Sequence, residues 1–224
     1  MAYRKSGETR ERILKAAARL FSERGYYETG IGDIAREAGI GRASFYYHFT
    51  DKEKAARAVF DTYVEGIYAA AERVVPKSDA NASAEELRRP LLLSVFVEYI
   101  LLFRFIALNK ATHAVYYDLV NFADYDRENI DRLKRTTFKD TVFLASLYGR
   151  RLTEAELVAF IVTTNAAAKS IFKAVSTGIL DFDLYEASDY FFRHAVLPDI
   201  PIPEPEYRNL LIQAFSLCES VDLS

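Results

Sequence analysis

Between Ile31 and Glu53 the sequence places two short amphipathic segments on either side of a glycine, a spacing that few folds accommodate. Ile31, Ile34, Ala35 and Ala38 recur at i, i+3, i+4 and i+7, the apolar face of a helix that Gly39 ends by taking the left-handed conformation. A second helix then begins near Gly41 and runs to about His48, with Phe45 and Phe49 inward and Arg42, Ala43, Ser44, Tyr46, Tyr47 and His48 outward. Two helices joined by a tight turn containing glycine form a helix-turn-helix, whose second member is shaped to enter the major groove of DNA.

The rest of the chain keeps the helical period. It shows no alternating strand pattern and no Asn-Gly or Asp-Gly hairpin signal, so the expected fold is all-α. A first helix runs from a Thr9 cap to about Arg24, with Ile13, Leu14, Ala17, Leu20 and Phe21 on one face and Gly25 closing it. A long helix starts at Thr50 or Asp51, where Thr50 and Glu53 have capping-box spacing, and continues to Val75, and the turn-rich stretch 76–83 reads as a linker. Ser83 with Glu86, Thr153 with Glu156 and Asp183 with Glu186 predict three further helix starts. Pro90 kinks or restarts the first of these helices, and Gly178 stops the second. Pro201, Pro203 and Pro205 precede a last helix from about Glu206 to Glu219. The expected organisation is a three-helix helix-turn-helix domain over 1–52, joined by helix 51–75 to a helical domain within 53–224.

Of 224 residues half are hydrophobic, enough for real cores. Charge is divided unevenly: residues 1–57 hold 12 Lys and Arg against 8 Asp and Glu, and the remainder 17 against 24. A basic head on an acidic body suits a chain that offers one end to a polyanion. The opening residues carry no basic-then-apolar signal, and Cys218 has no cysteine to pair with, so a cytoplasmic location is expected. The apolar run Leu91 to Leu108 contains Glu98 and Arg104 and is shorter than the roughly 20 residues of a membrane span, so a buried helix is expected and no membrane partner.

Catalytic chemistry finds no motif. His48, His113 and His194 lie far apart, and Glu-x-x-His, Gly-x-Ser-x-Gly and phosphate-cradling glycine loops are absent, so neither an enzyme nor a metal or cofactor site is expected. A second reading keeps the helix-turn-helix as the structural module of a protein–protein adaptor; strongly salt-dependent DNA binding separates the two.

The run Gly25-Tyr26, Thr29, Ile31, Asp33-Ile34-Ala35, Ala38-Gly39-Ile40, Phe45-Tyr46, His48-Phe49 and Asp51-Lys52-Glu53 resembles the DNA-binding head of the TetR family of bacterial transcriptional regulators. Gly30 and Gly41 depart from it, standing where that family commonly has Ser or Thr. The resemblance implies a double-stranded DNA operator, a homodimer, and a body that binds a small molecule. Near the start of the second short helix, Arg42 can give two donors to guanine O6 and N7, worth about 1–3 kcal/mol of discrimination, and Ala43 lets the helix approach a thymine methyl. Ser44 and Tyr47 reach either a base edge or a phosphate. Tyr46 and His48 resemble the family's backbone-clamping positions, Lys52 adds charge for a phosphate, and Thr29 offers a hydroxyl at the entry to the first short helix.

Half-sites about 34 Å apart require a dimer. The helix from Thr153 to Thr177 is the candidate seam: Ala159, Thr163, Thr164, Ala166, Ala167, Ala168 and Ser170 are small, and Leu157, Phe160, Ile161, Ile171, Phe172 and Val175 are apolar. From these, Leu157, Phe160, Ile161, Thr164, Ala168, Ile171, Phe172 and Val175 are the expected interface. Tyr99, Phe103, Arg104, His113, Tyr117, Phe143, Asn165 and Lys169 are the candidate ligand-binding residues, since an apolar cavity with a few convergent polar groups is the usual small-molecule site.

Overall fold

The computed structural model describes residues 2–77, 79, 81–108 and 125–222. Nine α-helices and no strand occur among them: α1 Ala2–Arg24, α2 Ile31–Glu37, α3 Arg42–His48, α4 Lys52–Val74, α5 Ala84–Leu108, α6 Tyr125–Leu147, α7 Glu154–Ser176, α8 Leu184–Phe191 and α9 Glu204–Glu219. The chain divides into two compact units, one of Met1–Gly66 with Leu108–Tyr125 and the other of Ile67–Ala107 with Asp126–Ser224. The boundary falls inside α4, not at residue 52. Ala55, Ala56, Val59 and Phe60 are buried and belong with the first unit, so the opening turns of α4 complete its core.

In the first unit α1 supplies Ile13, Ala17, Leu20 and Phe21 to a core completed by Ile34, Ala35, Phe45 and Phe49. Gly25 and Gly39 end α1 and α2 with φ of 83° and 64°, a conformation that disfavours any side chain. The start of α1 lies well before Thr9, whose expected capping role is not needed. At the start of α4 Asp51, not Thr50, is the cap: its Oδ1 accepts from the Lys54 N–H at 2.7 Å, and the Thr50 hydroxyl donates to its other oxygen at 2.9 Å.

The second unit is assembled from helices whose starts are fixed as the spacing predicts. Thr153 and Glu156 exchange side-chain and backbone hydrogen bonds at the head of α7, Asp183 and Glu186 do so at α8, and Ser83 and Glu86 at α5. Pro90 lies within an uninterrupted α5. The core is aromatic: Phe96 stacks on Phe192 at 4.0 Å, and Phe103 meets Phe172 edge-on at 4.0 Å. After Phe191 the helix widens into a π turn, Phe192–Val196, that carries both Phe192 and Val196 into that core. Arg104 donates to the carbonyls of Cys218 (2.6 Å) and Val221 (3.1 Å), tying the end of α9 to α5.

Candidate nucleic-acid interface and candidate ligand cavity

The outward face of α3 follows from which of its residues the core consumes. Phe45 is fully buried and Phe49 nearly so, which turns Arg42, Ala43, Tyr46 and Tyr47 outward, with Ser44 and His48 half-covered. Tyr46 is 54% exposed and Tyr47 78%, large apolar areas for a folded surface to leave in water. Tyr47 and His48 meet edge to face at 5.1 Å. The Arg42 side chain lies along the first turn of α2. An added Cβ on Gly32 would stand 2.5 Å from its Nη2 and 3.0 Å from its Nε, so any larger residue there would push the arginine side chain aside.

Two expected DNA contacts are spent inside the head. Thr29 is 1% exposed, and its hydroxyl donates toward the carbonyls of Gly25 (2.8 Å) and Leu20 (3.3 Å), satisfying acceptors that the end of α1 leaves orphaned. The Lys52 ammonium donates to the carbonyls of Tyr26 (2.7 Å) and Thr29 (2.9 Å) and stands 4.1 Å from the centre of the Tyr26 ring. Both residues therefore fasten the α1–α2 connection, Thr29 buried and Lys52 half-buried.

A third fastening carries no sequence motif. Arg12 donates from Nε to the Ala38 carbonyl at 3.0 Å and from Nη2 to the carbonyls of Ala38 and Gly39, capping the end of α2 from α1. Its position on the polar side of an amphipathic helix is the one signal that the sequence offers for it.

In the second unit the described residues among the expected ligand set have the following surroundings. Tyr99 and Phe103 belong to the aromatic core: Tyr99 packs on Phe191 at 4.6 Å, and burial pushes its hydroxyl up to about 12. Arg104 holds the terminal carbonyls already described, and Phe143, Asn165 and Lys169 are half-buried. His113 and Tyr117 lie outside the described residues.

A cavity of about 540 Å3 opens instead between the second half of α4, the segment after it, α5 and α6. Val75, Pro76, Leu87, Pro90, Leu91 and Val95 form its apolar wall, and Glu72, Glu98, Asp140 and Lys77 bring charge to it. The Glu98 carboxylate accepts from the Ser94 hydroxyl at 2.9 Å. Burial raises its pKa from 4.5 to about 7, against the lowering effect of that hydrogen bond and with a further rise from the Asp140 charge.

The unfolded chain releases this proton near pH 4.5 and the folded chain near 7. Stability that is complete below the lower value is therefore lost as pH rises through the upper one. Removing the charge in Glu98→Gln is expected to abolish that descent, a relative gain of up to about 3 kcal/mol at alkaline pH, reduced by whatever water reaches the side chain. Urea unfolding at about pH 5 and pH 8 measures it, and parallel losses in the two proteins would contradict the assignment.

Six of the eight expected interface residues are also consumed by the core of their own unit. Leu157, Ile161, Thr164, Ala168, Ile171 and Phe172 are buried, with Phe160 and Val175 half-buried. The large residues of α7 thus pack inward with Thr164 and Ala168, and other small residues face outward. Ala155, Ala159, Val162, Ala166 and Ser170 form an exposed stripe at helical spacing, on which Val162 is 43% exposed. Among the described residues α7, and not the 91–108 run, is the helix long and apolar enough to cross a bilayer; 39% of its apolar stretch is buried.

Residues 13–59 match the family model described as bacterial regulatory proteins, tetR family. Over 108 residues the chain is 33% identical to the HTH-type transcriptional regulator TtgR of Pseudomonas putida, an alignment covering 47% of this chain and 50% of TtgR. Over 43 residues it is 54% identical to the HTH-type transcriptional regulator LmrA of Bacillus subtilis, covering 19% of this chain and 23% of LmrA. The chain spans about half the length of TtgR and less of LmrA. Among solved structures, RolR in complex with resorcinol superposes with a TM-score of 0.61 at 18% identity, covering 99% of this chain and all of that one. A complex of SmeT with triclosan does so with a TM-score of 0.55 at 18% identity, covering 88% and 95%. These two likenesses show a shared fold and nothing beyond it.

Proposed function

We propose that this chain is a TetR-family transcriptional regulator and a cytoplasmic repressor, a reading supported by the match of residues 13–59 to the family model and by the shared fold. It binds a palindromic operator as a homodimer and leaves it when a small molecule occupies the body. The observation that carries the reading is the α3 surface, where Arg42, Ala43, Tyr46 and Tyr47 stand outward while Phe45 and Phe49 anchor the helix from behind. Arg42 reads a guanine edge, Ala43 lies beside a thymine methyl, and Tyr46, Tyr47, Ser44 and His48 serve phosphates or neighbouring bases. Thr29 and Lys52 support this surface from within.

Dimerisation is assigned to the exposed stripe of α7, because small side chains let two helices approach closely and an apolar stripe left in water is costly. The sensing cavity is the one beside Glu98; the same fold holds resorcinol in RolR and triclosan in SmeT. α4 carries residues of both units, so it is one route by which occupancy of the cavity reaches the head. A ligand shifts the operator equilibrium only by its difference in affinity for the DNA-competent and incompetent dimers.

Selection of bound fragments from random DNA is the deciding experiment; a palindrome with half-sites one helical turn or a multiple apart is the expected result. Against that site Arg42→Ala is expected to lower the ratio of specific to scrambled DNA binding by about 10- to 100-fold while leaving the dimer intact. Gel-shift titration reads the ratio. No enrichment, together with salt-independent retention of DNA, favours the adaptor reading instead.

A further inference from the structure

We propose that the ligand of the α4–α5–α6 cavity is an organic cation with an apolar body, held by the carboxylate of Glu98. This rests on the sensing role just assigned to that cavity and goes on to name the chemistry it selects.

The cavity combines two features that seldom coincide in a plain core. Its wall is aliphatic, built by Val75, Leu87, Leu91 and Val95, and its charged groups are three carboxylates, Glu72, Glu98 and Asp140, against one ammonium, Lys77. Glu72, Asp140 and Lys77 are exposed and belong to its rim, whereas Glu98 is half-buried on α5 with Ser94 one turn before it. A carboxylate set among aliphatic side chains is destabilising in the empty protein. A cation that brings its own positive charge removes that cost, and its apolar part covers the aliphatic wall. An anion entering the same space would meet three like charges, and Lys77 alone offsets only one of them. At about 540 Å3, and open to solvent on one side, the space has the volume of a small-molecule site.

Cation binding must also release a proton wherever Glu98 is partly protonated. The titratable and charged groups around it are Asp140 on α6, Tyr68 and Glu72 on α4, Lys77 on the following segment and Tyr99 on its own helix. Asp140 and Glu72 are exposed, whereas burial raises the Glu98 carboxyl to about 7, so the proton exchanged there is that of Glu98. Affinity is therefore expected to rise by about tenfold per pH unit below 7 and to level off above it.

The test is calorimetric titration of the full chain with benzyltrimethylammonium and tetraphenylphosphonium, and with tetraphenylborate as the anion of the same shape. Binding of at least one cation, weaker or no binding of the borate, and a loss of about tenfold or more in cation affinity for Glu98→Gln support the proposal. Glu98→Gln exchanges a destabilising charge for a neutral group of similar size, and a thermal melt shows that it is folded. Equal binding of the borate, cation binding indifferent to Glu98→Gln, or no heat from either cation at millimolar concentration overturns the proposal. The sensing role itself fails separately: it falls if random-sequence selection yields no operator, whichever ion binds.

Discussion

Val162→Asp or Ala166→Asp is expected to yield a folded monomer whose affinity for a palindromic operator is lower by about 100-fold or more. Residues near the axis of a twofold seam face their own copies, so one substitution installs two carboxylates opposite each other. Both would have to be stripped of water among small apolar side chains, a cost that close packing cannot offset. Within the protomer nothing is lost, because both positions are exposed on α7, away from Leu157, Ile161 and Phe172. The operator loses because the second head is delivered to its half-site by its partner; two free heads bind independently and forfeit an effective concentration worth about 10²–10⁴ in affinity. Sedimentation measures the assembly and gel shift the affinity. A variant that stays dimeric and keeps its operator would remove α7 as the seam.

Lys52→Met carries the second large effect, and its sign of action distinguishes two roles for one cation. The ammonium is shared between the carbonyls of Tyr26 and Thr29, at 2.7 and 2.9 Å, beside the Tyr26 ring. Hydrogen bonds from a charged donor are worth about 1.5–3 kcal/mol each, and a methionine leaves both carbonyls without that donor. The head is expected to lose about 2–4 kcal/mol of stability and, with it, ordered presentation of α3. Operator affinity then falls because the folded head is scarcer, while the slope of log affinity against log salt stays as in the wild type. Were Lys52 instead to neutralise a phosphate, stability would be unchanged and the slope would drop by about one. Chemical unfolding and gel shifts at several salt concentrations, made on the same preparation, separate the two.

The elements that spacing located are those governed by local rules. Capping pairs three residues apart at Ser83, Thr153 and Asp183 close hydrogen bonds within one turn, and Gly25, Gly39 and Gly178 occupy left-handed positions, so each is readable without knowing what lies across the core. The outward set on α3 was legible for the same reason: two phenylalanines four apart define one face. The choice between Thr50 and Asp51 as a cap was not, because adjacent short polar residues satisfy the same rule and the entry direction of the chain decides.

Nonlocal partners were invisible. Thr29, Lys52 and Arg12 look like surface donors until the carbonyls at the ends of α1 and α2 are placed within reach of them. On α7 the apolar period marks two stripes, and only packing tells which is claimed by the protomer's own core; the larger residues win because they bury more area per turn. Tyr99 and Phe103, expected at a ligand site, take part in ring packing for the same reason, and the cavity described here has aliphatic walls and carboxylates.

Glycine at position 32 has a meaning for how such a head changes its taste in sequence. The guanidinium of Arg42 occupies the volume that any larger residue there would claim, so the bare backbone of α2 serves as a berth that restricts the arginine before a duplex arrives. An alanine in that place would evict the arginine and redirect it without altering a single group on α3. On the role proposed for Arg42, base preference is thereby exposed to drift from a position on α2, and a lineage could retune its operators through the berth while Arg42 stays the same.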